Sequence, residues 1–222
     1  MKGSDILNHI DHTLLKATAS WSEIQAICEE SIACKTASIC IPPSYVKRIH
    51  DLYGTKINIC TVIGFPLGYN TTEVKLAETK QALAEGANEI DMVINIGDIK
   101  NKDYTKVTEE IHLLKTVIGK NKILKVIIET CYLTAEEKCI LCEAVTNAGA
   151  DFIKTSTGFG TNGAVHEDIL LFKKHIGQNV KIKAAGGIHS IEDMKQFIEE
   201  GCSRIGASSA VKLLKNKAST EF

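Results

Sequence analysis

The sequence lacks the features that mark a membrane protein or a nucleic-acid-binding protein. No stretch approaches the roughly 18 consecutive apolar residues that a transmembrane helix needs, and residues 1–5 contain no apolar core of a secretion signal. The formal net charge is −1, so neither sign of charge dominates the chain. We therefore expect a cytoplasmic protein with no nucleic-acid partner and no membrane partner.

Proline is scarce as well, with three residues in the chain, and no segment rich in Pro, Gly or Ser interrupts the sequence. Such a segment is the usual sign of a boundary between domains. Hydrophobic residues make up 44% of the chain, which is enough for a substantial core. We expect a single domain over residues 1–222.

The eight cysteines form no recognisable framework of disulfides or zinc ligands. Cys40 and Cys60 lie in apolar, strand-like runs, where a thiol behaves as a small buried hydrophobic side chain. Cys139 and Cys142 have C-x-x-C spacing, but they lie within a predicted helix and no second pair follows at zinc spacing. We expect reduced thiols and no metal site.

One order of elements recurs along the chain: a helix, a glycine, one or two small or polar residues, and a short apolar strand. The glycines are Gly86, Gly149 and Gly201, and each is predicted to end its helix in a left-handed conformation. Such short helix-to-strand loops are typical of parallel sheets built from strand–helix units. Helix starts have capping-box spacing at Ser20 with Glu23, Thr134 with Glu137, and Ser190 with Asp193.

Eight candidate strands alternate with segments of helical length. They are Ile10–Leu14, Ala37–Ile41, Asn58–Ile63, Glu89–Ile94, Leu124–Glu129, Asp151–Thr155, Lys181–Ala185 and Arg204–Ala207. This alternation predicts an α/β fold, a single (β/α)8 TIM barrel, with a short helix at Ser4–His9 before the first strand. The competing open, doubly wound sheet usually has a glycine-rich turn after its first strand, and none is present here.

Charged residues lie at the carboxyl ends of three predicted strands. Lys154 lies at the end of the sixth, Asp91 toward the end of the fourth, and Lys183 toward the end of the seventh. Catalytic residues of a TIM barrel gather at this end, so these side chains are expected to face one pocket. The alternative is that each is a solvated strand end, since alternation alone does not say which face points inward.

Two lysines and a carboxylate around one pocket suit Schiff-base chemistry. A lysine attacks a carbonyl only as a neutral amine, and a second ammonium group together with burial disfavours its charged form. A neighbouring aspartate can carry protons to and from the reacting groups.

Glycine- and hydroxyl-rich turns follow the strands that end near this pocket. Thr155–Gly158 follows Lys154, and two further turns, at residues 185–188 and 206–209, follow the seventh and eighth strands. TIM barrels commonly bind phosphate after these last two strands, with backbone N–H groups and helix N-termini. We therefore expect a phosphate site beside the charged residues.

Seven segments, in order and over nearly the whole chain, resemble class I deoxyribose-phosphate aldolase. They are Asp11–Leu15, Val62–Gly68, Glu89–Gly97, Val126–Thr130, Phe152–Phe159, Lys183–Ile188 and Arg204–Ser209. The resemblance implies reversible cleavage of 2-deoxy-D-ribose 5-phosphate to D-glyceraldehyde 3-phosphate and acetaldehyde, in deoxyribose phosphate catabolism. It implies a reaction without metal or organic cofactor, and it leaves a homo-oligomer, dimer or tetramer, open.

The resemblance also implies roles for nine residues. Lys154 would form the Schiff base with the substrate, and Asp91 and Lys183 would donate and accept protons. The residues expected around the substrate phosphate are Gly158, Gly186, Gly187, Gly206, Ser208 and Ser209.

Three positions depart from the family's usual pattern, and none is one of the three catalytic residues. His189 stands where arginine is usual, Cys131 where glycine is usual, and Tyr69 where a smaller residue is common. We expect one phosphate contact and the loop after the fifth strand to differ accordingly.

Two other functions remain open from the residues. A pyridoxal-phosphate enzyme also combines a Schiff-base lysine with a phosphate cradle, and it would give the purified protein a visible absorbance band. A barrel that binds a sugar phosphate without catalysis would bind ligand and show no carbonyl exchange.

Overall fold

Eight parallel strands close into a barrel in sequence order, and the last strand pairs with the first. The computed structural model describes the backbone of residues 1–220 and the side chains of residues 1–215. The strands are β1 (Ile10–Thr13), β2 (Ser38–Ile41), β3 (Ile59–Ile63), β4 (Glu89–Val93), β5 (Ile123–Ile127), β6 (Phe152–Lys154), β7 (Lys181–Ala185) and β8 (Cys202–Ala207). The predicted TIM barrel is confirmed, and the strand ends differ from the predicted ones by at most two residues.

Helices follow the strands around the outside of the barrel. Those described are α1 (Gly3–Leu7), α2 (Trp21–Cys34), α3 (Val46–Tyr53), α4 (Thr72–Ala84), α5 (Ile96–Lys100), α6 (Tyr104–Ile118), α7 (Ala135–Asn147), α8 (His166–His175), α9 (Ile191–Glu200) and α10 (Ala210–Thr220). The predicted N-terminal helix is α1, displaced by one or two residues. Within residues 1–220, no helix is both long and apolar enough to cross a membrane.

Local signals place the helix ends where the sequence predicts them. Ser20 and Thr134 form complete capping boxes with the glutamate three residues further on. At α9 one of the two bonds forms, as the Ser190 hydroxyl accepts from the Asp193 N–H. The helix-ending glycines have φ between 78° and 122°, a region that favours glycine: Gly86, Gly149 and Gly201.

Alternation along the strands separates two environments. Ile90 and Met92 of β4 point outward and belong to the continuous apolar core between the strands and the helices. Glu89 and Asp91 of the same strand are buried and form ion pairs inside the barrel. The buried or half-buried charged side chains of this interior are Asp11, Glu89, Asp91, Lys125, Lys154, Lys183 and Arg204.

Candidate active site

Lys154 is the last residue of β6 and is 3% exposed. Its neighbours in register are Ile127 on β5 and Lys183 on β7. Its side chain lines a cavity of about 290 Å³ at the carboxyl ends of the strands. The lysine is therefore buried against the barrel interior and still accessible to a small molecule.

Asp91 joins the two predicted lysines. Its Oδ2 accepts hydrogen bonds from Lys154 Nζ at 2.7 Å and from Lys183 Nζ at 2.8 Å. The structure thus brings together the three residues that the sequence predicts. Asp91 and Lys183 are fully buried and are not part of the cavity wall, whereas Lys154 is.

A third lysine, Lys125 of β5, completes the shell of Asp91. Lys125 Nζ is 2.9 Å from Asp91 Oδ1 and 2.5 Å from Glu89 Oε2. Lys125 was not predicted from the sequence, although it alternates with outward-facing Leu124 and Val126. That alternation is the signal that could have identified it as inward-facing.

Asp11 and Arg204 extend the network across the closure of the barrel. Asp11 Oδ2 is 2.5 Å from Lys183 Nζ, and Asp11 Oδ1 is 2.5 Å from Arg204 Nη1. Arg204 also contacts Glu89 at 3.0 Å. Both Asp11 and Arg204 lie in segments that carry the family resemblance, but their roles were not predicted because their partners are distant in sequence.

The network fixes the charge of its members. Burial opposes ionisation of Asp91, but the ammonium groups of Lys125, Lys154 and Lys183 outweigh it and hold the pKa of Asp91 well below its usual range. Burial likewise opposes protonation of Lys183, and the carboxylates of Asp11 and Asp91 raise its pKa above the usual value. Lys183 is thus a cation beside an anionic Asp91.

The cavity wall contains five of the six residues predicted to bind phosphate, namely Gly158, Gly186, Gly187, Gly206 and Ser208. Gly186 and Gly187 have φ of 82° and 72°, and successive residues of this kind form a concave arrangement of N–H groups that suits an anion. A Cβ on Gly206 would lie 3.2 Å from Lys183 Cε, so glycine keeps this side of the cavity open.

Ser209, the sixth predicted residue, is not part of the cavity wall. Its hydroxyl oxygen is buried and has no hydrogen-bond partner among the described residues. His189 lines the cavity, as expected from its position after the Gly186–Gly187 turn. Lys16, which was not predicted, lines the same cavity and adds a second cation-capable side chain.

Glu129 was also missed, and it holds the loop after β6. It has φ of 52°, and its buried carboxylate accepts from the Thr157 N–H at 3.1 Å and from the Thr157 hydroxyl. Burial raises the pKa of Glu129, with the Thr157 hydrogen bonds acting in the opposite direction. In the same loop, a Cβ on Gly160 would lie 2.8 Å from Cys131 Sγ, so the unusual cysteine packs against this glycine.

Cys40 and Cys60 are buried, as predicted, but their surroundings differ from the prediction. They pair in register on β2 and β3 and point into the barrel, where the Cys60 thiol donates to Asp91 Oδ1 at 3.0 Å. The expectation of simple hydrophobic side chains is therefore wrong for Cys60. Cys40 and Cys60 point inward because side chains alternate along a strand and the neighbours Ile39 and Ile59 point outward into the apolar core.

Comparison with known proteins identifies the family. The sequence profile described as DeoC/LacD family aldolase matches residues 6–216. The chain belongs to the DeoC/LacD aldolase family. A relative in this family, a deoxyribose-phosphate aldolase of Clostridium botulinum (strain Alaska E43 / Type E3), is 70% identical over 217 residues, which cover 98% of each chain. The deoxyribose-phosphate aldolase of Clostridioides difficile (strain 630) is 58% identical and covers 98% of this chain and 99% of its own.

Solved structures of aldolases have the same fold. The aldolase QR15 is 37% identical with a TM-score of 0.92, and the match covers 98% of this chain and 97% of QR15. A deoxyribose-phosphate aldolase of Aeropyrum pernix, described as tetrameric, is 30% identical with a TM-score of 0.88. The match covers 99% of this chain and 93% of the Aeropyrum pernix chain. In this DeoC/LacD aldolase, the cavity with a lysine at its floor is the candidate active site.

Proposed function

We propose that the chain is a class I aldolase that reversibly cleaves 2-deoxy-D-ribose 5-phosphate to D-glyceraldehyde 3-phosphate and acetaldehyde. One observation carries the proposal: Lys154 lines the cavity and donates to the same Asp91 oxygen as Lys183. The names of relatives at 58% and 70% identity support the choice of substrate. Lys154 forms the Schiff base, and the reaction uses no metal and no organic cofactor.

Lys154 must lose a proton before it attacks a carbonyl, and the other charges of the barrel interior allow this loss. Among the described residues of this network, the carboxylates are Asp11, Glu89 and Asp91, and the cations other than Lys154 are Lys125, Lys183 and Arg204. These three carboxylates and three cations balance one another without Lys154, so loss of its proton leaves no uncompensated charge in this network. A neutral amine at this position is the nucleophile that Schiff-base formation requires.

Protons move within one hydrogen-bonded group. Lys154 Nζ attacks the aldehyde carbon of the open-chain sugar, and loss of water from the adduct gives an iminium ion. Lys154 and Lys183 both donate to Asp91 Oδ2, at 2.7 and 2.8 Å. Asp91 and Lys183 accept and supply the protons of these steps. Deprotonation of the C3 hydroxyl then breaks the C2–C3 bond, with the iminium as electron acceptor, and protonation and hydrolysis of the enamine release acetaldehyde.

The phosphate end of the substrate binds on the side of the cavity formed by the turns after β7 and β8. The Gly186–Gly187 turn lines this side with backbone N–H groups as candidate donors to the anion, and Gly158 and Gly206 leave space for it. Ser208 lines the cavity, and the unpaired Ser209 hydroxyl is a donor at the start of α10. Lys16 and His189 line the same cavity with side chains that can carry positive charge.

Product formation tests the proposal directly. Purified protein with 2-deoxy-D-ribose 5-phosphate and a metal chelator is expected to release acetaldehyde and D-glyceraldehyde 3-phosphate in equal amounts. Lys154→Arg should reduce turnover to background, whereas Lys181→Arg, an exposed lysine at the opposite end of β7, should not. A folded wild-type protein without product, or a visible absorbance band of pyridoxal phosphate, would contradict the assignment.

Self-association is the remaining part of the proposal. The Aeropyrum pernix relative is described as tetrameric, which favours a homo-oligomer, dimer or tetramer, for this chain as well. Light scattering of the purified protein measures the mass, and a monomer at micromolar concentration would contradict this part alone.

A further inference from the structure

Two thiols and a carboxylate converge inside the barrel from three consecutive strands. Cys40 of β2 and Cys60 of β3 are partners in register, and Asp91 of β4 pairs with Val62, two residues beyond Cys60. The two Sγ atoms and one Asp91 carboxylate oxygen all lie within 4.8 Å of one another. All three side chains are at most 1% exposed.

The upper limit of 4.8 Å on these separations is compatible with ligands around a single ion. Metal–sulfur bonds of about 2.3 Å and metal–oxygen bonds of about 2.1 Å place ligand atoms roughly 3.5 to 4.6 Å apart. Cys60 Sγ and Asp91 Oδ1, which are hydrogen-bonded at 3.0 Å, therefore have to move apart when the ion binds. We propose that Cys40, Cys60 and Asp91 form a binding site for one thiophilic divalent cation of the Zn²⁺ and Cd²⁺ class. Three protein ligands leave the fourth tetrahedral position to water.

The charge of the barrel interior allows a divalent cation to replace the two thiol protons. Binding replaces two thiol protons with one divalent cation, so the net charge of the barrel interior does not change. Lys125 Nζ is the group that now bridges Cys60 Sγ, at 3.2 Å, and Asp91 Oδ1, at 2.9 Å. When the cation takes the place of the Lys125 ammonium beside Cys60 and Asp91, this ammonium keeps its contact with Glu89 at 2.5 Å.

The site lies next to the cavity. Cys40 and Cys60 pack with Val62 in a small inner cluster that also contacts Leu15 and Phe65. Leu15 is part of the cavity wall, so a cation in the cavity is separated from the thiols by this half-buried side chain. Entry from the cavity therefore requires displacement of the Leu15 side chain.

Occupancy removes Asp91 from proton transfer. The cation takes the carboxylate that Lys154 and Lys183 share, so cleavage of the aldol substrate stops until a chelator removes the ion. This inhibitory effect depends on the proposed function, whereas binding of the ion does not. The two are therefore measured separately.

Titration of reduced, chelator-treated protein with Cd²⁺ tests the site, since thiolate-to-cadmium charge transfer gives an ultraviolet band. We expect saturation near one equivalent in the wild type. Cys40→Ser and Cys60→Ser should each lower the affinity by more than the about 10- to 100-fold that loss of an outer-shell partner costs. The double variant Cys139→Ser/Cys142→Ser, which removes the C-x-x-C pair of α7, is the matched control and should bind as the wild type does.

Three outcomes would overturn the site: no band in the folded wild type, a band that survives in Cys40→Ser/Cys60→Ser, or loss of the band in the α7 control. Should Cys60→Ser fail to fold, Cys60→Ala removes the sulfur without burying a new hydroxyl and without adding volume. Asp91→Asn should weaken Cd²⁺ binding and leave the charge-transfer band in place, because both thiolates remain. Unchanged affinity in that variant would remove Asp91 from the ligand set and contradict the proposed site.

Discussion

The barrel interior contains paired charged side chains, whereas the layer between strands and helices contains apolar side chains. On β4 and β5, Ile90, Met92 and Leu124 point outward into an apolar core, while Asp91 and Lys125 on the same strands meet inside at 2.9 Å. The outer layer holds the fold through burial of apolar surface, which needs only the correct pattern. The interior needs each charge to meet its partner, because an uncompensated buried charge is costly. The candidate catalytic residues are therefore concentrated in the barrel interior, where stability depends on the pairing of charges.

The largest contrast is expected in catalysis, at adjacent positions on β4. Asp91→Asn removes the proposed proton carrier and keeps the shape of the side chain, so kcat should fall by about 10²- to 10⁴-fold with little change in KM. Met92→Leu changes the outward-facing neighbour at similar volume and should leave kcat within about twofold. Steady-state kinetics with 2-deoxy-D-ribose 5-phosphate measures both. A defect in Asp91→Asn that lies mainly in KM would assign the residue to binding instead.

The second contrast is in stability, with the same new side chain on the two faces of β5. Lys125→Met leaves Asp91 and Glu89 with one cation fewer and should lower the free energy of unfolding by about 3 kcal/mol, the lower end for a broken buried pair, because Glu89 keeps Arg204. Leu124→Met should cost less than about 1.5 kcal/mol. Urea unfolding compares the two variants. Equal losses would mean that the interior charges contribute no more than shape.

The interior should also respond to acid, whereas the apolar layer should not. Burial opposes ionisation of Asp11, but Lys183, Lys125 and Arg204 outweigh it and hold the pKa of Asp11 far below its usual value. A lowered folded-state pKa gives stability that is complete above the unfolded pKa of about 4 and is lost as pH falls below it.

Asp11→Asn should therefore unfold more easily than the wild type at pH 6, and the difference should narrow below about pH 4. Between pH 3 and 4, the free energy of unfolding should change less steeply with pH in Asp11→Asn than in the wild type, by up to about 1.4 kcal/mol per pH unit. Urea titrations between pH 3 and 6 follow it. Parallel curves for the two proteins would contradict the ion-pair account of Asp11.

The smallest effect is expected at the rim, where His189 is exposed beside the cavity. Histidine loses its positive charge within the working pH range and arginine does not. His189→Arg should therefore lower KM for the phosphorylated substrate about two- to fivefold at alkaline pH and have less effect in mildly acidic buffer. Ionisation of the phosphate itself is common to both proteins and cancels in their ratio. Unphosphorylated 2-deoxyribose is the control, and a ratio constant with pH would mean that His189 does not contact the phosphate.

The outer layer and the ends of the strands could be predicted from the sequence because they depend on local patterns. Helix caps, helix-ending glycines and apolar alternation lie within a few residues of one another, and polar residues at strand ends mark Lys154, Asp91 and Lys183. Alternation on β5 could have indicated Lys125, but Asp11 and Arg204 could not be assigned to each other, since they are 193 residues apart and meet only when β8 closes against β1. The role of Cys60 was missed because it depends on which face of β3 points inward, and that of Glu129 because its partner Thr157 lies 28 residues further along the chain.

Trapping of the Schiff base tests the central assignment most directly. Protein incubated with acetaldehyde and borohydride should gain one reduced ethyl adduct, and peptide mass spectrometry should locate it on Lys154, the one of the three interior lysines that lines the cavity. Lys154→Arg should gain no adduct under the same conditions. An adduct on Lys183 or Lys125, with Lys154 unmodified, would contradict the assignment of Lys154 as the nucleophile.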